Sequence, residues 1–257
     1  MNKISTCGAW ITRSLCAMLI CATAFTPAQS MSVTPIVLEL IASGPLSKSR
    51  LRVLNDGATP LAVEFKISRL ELDESGQGQA TSAGEDFNVF PPQALIAPGS
   101  SQTFGVQWTG RGALDKSRTY IFSVNQLPVK LPKTQSGMQL VFNFAVVVNV
   151  APIEGTSTLD VKSVVIVKDS TGARRAQLTV ANSGNKHASL GDASILLSGG
   201  KWSQTLTGAA LRQMLGVALV QPGKQRRFVL TTDLPPQIND LSARIDYRQL
   251  ATSSNVQ

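Results

Sequence analysis

Between residues 138 and 150 every even position is apolar: Met138, Leu140, Phe142, Phe144, Val146, Val148 and Val150. The odd positions are mixed, running Gln139, Val141, Asn143, Ala145, Val147 and Asn149. Side chains of a strand point alternately to opposite faces, so this period of two predicts a long strand with one uniformly apolar face. Shorter stretches rich in Val, Ile, Leu and Phe precede it at residues 33–41, 50–54, 62–72, 102–108 and 120–127. Others follow at residues 159–167, 177–180, 194–197, 227–231 and 243–247. Gly, Pro, Asn and Asp punctuate the gaps. Regularly spaced short strands with such turns predict an all-β chain built as an antiparallel sandwich. The exception is residues 208–215, where Leu211, Met214 and Leu215 suit a short connecting helix.

An internal echo divides this pattern. "RLRVLNDGATPL" from Arg50 matches "QLTVANSGNKHA" from Gln177, aligning Asn55 with Asn182 and Gly57 with Gly184. Downstream, "IAPGSSQTFGV" from Ile96 matches "VQPGKQRRFVL" from Val220, aligning Pro98 with Pro222, Gly99 with Gly223 and Phe104 with Phe228. The offsets are 127 and 124 residues. Two echoes in one order at nearly one spacing predict two similar sandwiches joined near Ala151-Pro152, residues 31–151 and 152–257.

Residues 1–30 stand apart from both. Lys3 and Arg13 precede an apolar run at residues 15–25, and Ala28, Gln29 and Ser30 follow it. That is the order of a secretory signal peptide, removed on export. The run is well short of the roughly 20 residues a membrane-crossing helix needs, so no membrane insertion is expected once it is gone. Cys7, Cys16 and Cys21, the chain's three cysteines, all lie within residues 1–30. The exported remainder must therefore be held by core burial, not disulfides. It would carry 22 basic and 16 acidic residues, a net charge of +6. The basic residues are scattered and lack interleaved aromatics, which argues against a nucleic-acid partner.

A search for chemistry returns little. His187, the chain's one histidine, sits in the turn-rich stretch 182–187 and is expected to be a solvated turn residue. With no second imidazole and no cysteine beyond the leader, no metal site is expected. Nucleophile-elbow and phosphate-loop motifs are missing, so neither catalysis nor a cofactor is expected. Asp233, Asp240 and Asp246 are expected in loops and at strand ends. Trp108 and Trp202 are expected in the two cores.

The order and spacing of "VTPIVLEL", "RLRVLND", "VFPPQALIAPGSSQTFGVQW", "RTYIFSVNQLPV" and "MQLVFNFAVVVNVAP" resemble the periplasmic pilus chaperones of bacterial chaperone–usher secretion. The stretch 130–137 and the alternating strand after Gly137 are most similar to the archaic branch of that family. The resemblance implies two immunoglobulin-like domains set at an angle, working in the periplasm without nucleotide. It also implies that the last strand of the first domain is lent to a pilus subunit whose own sandwich lacks a strand, before delivery to an outer-membrane usher. An alternating apolar strand at a free edge is an aggregation hazard. For a partner with an incomplete sheet it supplies main-chain hydrogen bonds and side chains together.

On this reading the even face, Met138, Leu140, Phe142, Phe144, Val146 and Val148, is expected to meet the subunit. The opposite arrangement puts the even face in the chain's own core and turns Val141 and Val147 to the partner. Members of the family hold the subunit's terminal carboxylate with an arginine on the first strand and a lysine on the last strand of that domain. Here the first strand's only charge is Glu39, and residues 138–150 contain no basic residue. Arg118 is the expected substitute, with Arg50 and Arg52 behind it. The competing readings are a structural or adhesive surface protein of two immunoglobulin-like modules and, ranked last, an exported carbohydrate-binding or hydrolytic sandwich. The lack of cysteine beyond the leader and the strand pattern beginning at Val33 favour the chaperone over the former.

Overall fold

The computed structural model describes residues 31–110, 112–128 and 141–247, so residues 1–30, Met138 and Leu140 lie outside the described residues. Within them the stretch 33–41 is cut at Pro35, which has no N–H to continue a ladder. Before the cut, β1 (Met31–Thr34) pairs antiparallel with β3 (Lys48–Asn55). After it, β2 (Val37–Ile41) joins a different sheet. The chain continues through β4 (Leu61–Leu72), β5 (Gly78–Ser82), β6 (Phe87–Phe90), β7 (Gln93–Ile96), β8 (Ser101–Trp108), β9 (Arg118–Leu127) and β10 (Asn143–Ala151).

These strands make two facing sheets. One has the order β1-β3-β8-β6; the other runs β2-β10-β9-β4-β5, with β7 also on β4. Every pairing in them is antiparallel except β2 with β10, which is parallel. Alternation along the strands turns Leu51, Val53, Phe104 and Val106 of one sheet against Tyr120, Phe122, Val124 and Val63 of the other, all at most 1% exposed. Phe87 makes edge-to-face contacts with Trp108, Tyr120 and Phe122 at 4.8–5.1 Å, an arrangement favoured by ring quadrupoles.

A second sandwich follows residues 152–158. It comprises β11 (Leu159–Lys168), β12 (Arg174–Asn182), β13 (Ala188–Ser189), β14 (Ala193–Gly199), β15 (Trp202–Thr207), α1 (Gly208–Leu215), β16 (Leu219–Val220), β17 (Gln225–Leu230) and β18 (Ser242–Tyr247). Sheets β11-β12-β17 and β15-β14-β18 enclose a separate core around Leu178, Ile195, Leu197 and Leu230. The helix expected from sequence forms, presents Leu211 to this core and ends at Gly216, whose φ of 63° suits a residue without a Cβ.

The sequence echo has a structural cause. Asn55 Nδ2 donates to the carbonyls of Thr59 and Ile96, and its Oδ1 accepts from Gly57 N–H. Asn182 repeats this with Lys186, Val220 and Gly184. Each asparagine carbonyl also accepts from the glycine of a Pro-Gly turn, Gly99 at 2.9 Å and Gly223 at 2.8 Å. Proline at the first central position and a positive-φ glycine at the second make each a type II turn, at φ 67° and 71°. In both sandwiches a buried amide thus ties the strand's end to the turn before the next core strand. Leucine at either position would leave buried main-chain groups unpaired.

Candidate functional site

The open side of the first sandwich is set by the main chain of β10. Phe142 carbonyl accepts from Gln126 N–H at 3.0 Å, and Phe142 N–H donates to Gln126 Oε1 at 3.2 Å, so even residues direct their main chain toward β9. Val147 N–H donates the other way, to Ile36 carbonyl at 3.0 Å. Odd residues therefore direct theirs toward β2. Yet β2 pairs only with Val147 to Ala151, whereas β9 pairs with Asn143 to Val150. Among the described residues no strand borders the other edge of Asn143 to Val146. The N–H and C=O groups of Asn143 and Ala145 point out of that free edge. It exists because the chain leaves this sheet at Ile36 and crosses to the facing one through Pro35.

The side chains sort differently from the sequence expectation. Val146 and Val148 are 0% exposed and belong to the chain's own core. That is a correction: the sandwich needs one face of β10 to fill its interior, and the uniformly apolar face goes there. Phe142 and Phe144 pack against the same core but stay partly exposed. Phe142 borders a shallow pocket with Met31, Asn55, Thr59, Pro60, Leu61 and Gln126. On the odd face Val141, Asn143 and Ala145 are exposed and Val147 is half-buried.

Of the three candidate anion anchors, Arg50 and Arg52 project from β3 in the facing sheet, where Arg52 Nε donates to Ser101 Oγ at 2.9 Å. Neither is near β10 in the ladder. Arg118 is in register with Val150 and is half-buried beside Tyr120. The Tyr120 hydroxyl donates to Asp86 Oδ2 at 2.7 Å, and burial, aided by that bond, holds its phenol above the usual value.

At the closed end of β10 the two sandwiches meet. Asn149, 1% exposed, is in register with Glu39; its Nδ2 donates to Glu39 Oε1 at 2.9 Å, and its Oδ1 accepts from Thr119 Oγ1 at 2.9 Å. The other oxygen of Glu39 lies 2.6 Å from His187 Nε2. His187 is 6% exposed, so the expectation of a solvated turn residue is overturned. The turn is indeed there, but it is packed against the first sandwich, and sequence offered no sign of that neighbour. On the far side of the junction Gln221 imitates a strand: its amide donates to Leu70 carbonyl and accepts from Leu72 N–H, both at 2.8 Å.

Among the described residues no group of three or more His, Cys, Asp or Glu is placed to hold a metal, and no helix is long and apolar enough to cross a membrane. A strand with a free edge in the first of two sandwiches offers main-chain groups to which an extended partner segment can add. Residues 32–154 match the family described as pili and flagellar-assembly chaperone, PapD N-terminal domain. Over these residues the chain is a PapD-like pilus chaperone of the chaperone–usher family, a non-enzymatic family, and the match separates no branch within it.

Solved structures agree on the fold. A chain of a chaperone–tip adhesin complex of CFA/I fimbriae biogenesis is similar at TM-score 0.52 and 11% identity, covering 87% of this chain and 94% of that one. The class 5 fimbriae chaperone CfaA is similar at TM-score 0.52 and 11% identity, covering 85% and 100%. The YadV chaperone is similar at TM-score 0.50 and 14% identity, covering 84% and 91%. A search of the curated proteins returned no match.

Proposed function

We propose that this chaperone works in the periplasm, captures pilus subunits along the free edge of β10 and passes them to an outer-membrane usher. The working division is a leader at residues 1–30, a subunit-binding domain at 31–151 and a second domain at 152–257. The observation that carries the reading is the free edge at Asn143 and Ala145, which offers main-chain donors and acceptors in a row beside half-exposed aromatic side chains.

Magnitudes show why both are needed. Four main-chain hydrogen bonds would contribute about 0.5–1.5 kcal/mol each. Completing the burial of Phe142 and Phe144 adds less than the about 1.5–3 kcal/mol each that full burial of such side chains is worth, since both are already half covered. Association costs about 4–15 kcal/mol. Edge and aromatics together therefore fall short of tight capture, and the sequence pattern makes Met138 and Leu140 candidates to add to the contact. Val146 and Val148 stay in the chaperone's own core. Arg118 remains the candidate for a subunit's terminal carboxylate, as the one of the three arginines on the sheet of β10.

Amide hydrogen exchange with a purified subunit of a co-encoded pilus tests this. Protection should appear at Asn143 and Ala145 while the β9-facing amides of Phe144 and Val146 stay as they were. Protection elsewhere with none at these two positions would refute it.

A further inference from the structure

The link from His187 to β10 crosses between the sandwiches through Glu39. Glu39 Oε2 faces His187 Nε2, and Glu39 Oε1 takes the Asn149 amide. Behind the imidazole, Nδ1 lies 3.1 Å from Ser117 Oγ, which also accepts from His187 N–H at 3.2 Å. Ser117 N–H donates to Asn185 carbonyl at 2.9 Å, so the loop before β9 and the turn carrying His187 are tied twice. The hydrogen bonds fix the tautomer. Glu39 only accepts, so Nε2 carries a proton; in the neutral ring Ser117 then gives its hydroxyl proton to Nδ1.

We infer that His187, in the second sandwich, is a positioning residue for the subunit-binding strand. Through Glu39 and Asn149 it pins β2 alongside the lower half of β10 and so fixes where the free edge begins. This rests on the chaperone reading. A subunit strand adding to Asn143 and Ala145 runs along β10 until it abuts Ile36, whose carbonyl already holds Val147 N–H. The placement of β2 is thus the stop that limits how much of β10 a client can use. The second domain acts on that stop through Glu39.

The test is hydrogen exchange and imidazole 15N NMR at pH 7.5 on the free protein, followed by exchange with a purified subunit. In H187A and E39A, exchange at Val147 and Asn149, whose N–H groups face β2, should rise at least tenfold, with Phe144, Val146 and Val148 unchanged. E39Q should restore slow exchange: its amide oxygen still accepts from Asn149, and its NH2 donates to Nε2, which moves the imidazole proton to Nδ1. That tautomer change is a signature general loosening would not produce. With subunit bound, protection should spread to Val147 in H187A but not in wild type. Exchange at Val147 and Asn149 within twofold of wild type in both alanine variants, or a wild type with no proton on Nε2, overturns the inference. Subunit protection absent from wild type as well would overturn the chaperone reading, while the free-protein exchange still decides the link itself.

Discussion

Substituting proline at Ala145 separates the strand's role in the chaperone from its role toward a client. Ala145 is exposed, lies opposite Ser123 and directs its N–H away from β9, so proline there removes no bond of the chaperone's own ladder. Proline is tolerated in a sheet where its missing N–H would face solvent, and Phe144 before it is already extended. The melting temperature should hardly move. A client strand would meet a different edge: one main-chain bond worth about 0.5–1.5 kcal/mol is gone, and the client carbonyl that expected it is buried unpaired at a further cost of about 1–3 kcal/mol. The loss of about 1.5–4.5 kcal/mol corresponds to roughly 10- to 1,600-fold weaker capture, taking about 1.4 kcal/mol per tenfold. Val146→Pro is the contrast. It breaks a bond to β9 and disturbs a side chain that is 0% exposed, so it should unfold the first sandwich. Titration of purified subunit into the A145P protein, beside thermal melts of both variants, provides the readout. Capture by A145P within threefold of wild type would refute the free-edge mechanism. A145P as unstable as V146P would show that the edge is already occupied within the chain.

Two other outcomes follow from the cores and their tyrosines. Asn55→Ala and Asn182→Ala should each cost about 2–4 kcal/mol in urea unfolding, since each strips its partners from buried main-chain groups; a loss below about 0.5 kcal/mol would sink the turn-anchoring account. Tyr120 is held above its ordinary value of 10.0, first by burial and then by its bond to Asp86, so the folded chain keeps this proton longer than the unfolded one does. Its contribution is complete below about pH 10 and fades as the pH climbs beyond it. Stability should fall on that alkaline limb, less steeply in Tyr120→Phe, with a share left from Tyr247, which burial also raises. Ionisation of both phenols at the ordinary value in an absorbance titration would exclude this.

Much of the fold was legible in the chain. Period-two alternation placed most of the longer strands, because a strand between core and solvent must sort its side chains face by face. The paired Asn and Pro-Gly echoes revealed the duplication, since a buried amide and a positive-φ turn each tolerate few residue types. Residues 78–82 and 87–90 were harder: the first strand is exposed along its whole length and has no apolar face, and the second is four residues long.

What sequence determined here is local: which segments are extended, which face of each is apolar, and which turns recur. It left open the direction in which the apolar face of β10 points, because period two is satisfied equally by a chain's own core and by a partner's. Tertiary structure decided that by turning Val146 and Val148 inward and by withdrawing β2 at Ile36, so that main-chain groups at Asn143 and Ala145 face outward. It also buried His187 against Glu39 and set Gln221 as a strand surrogate, contacts between residues 148 and about 150 positions apart in the chain. No local pattern encodes such pairs, since each depends on how two sandwiches with separate cores pack against one another.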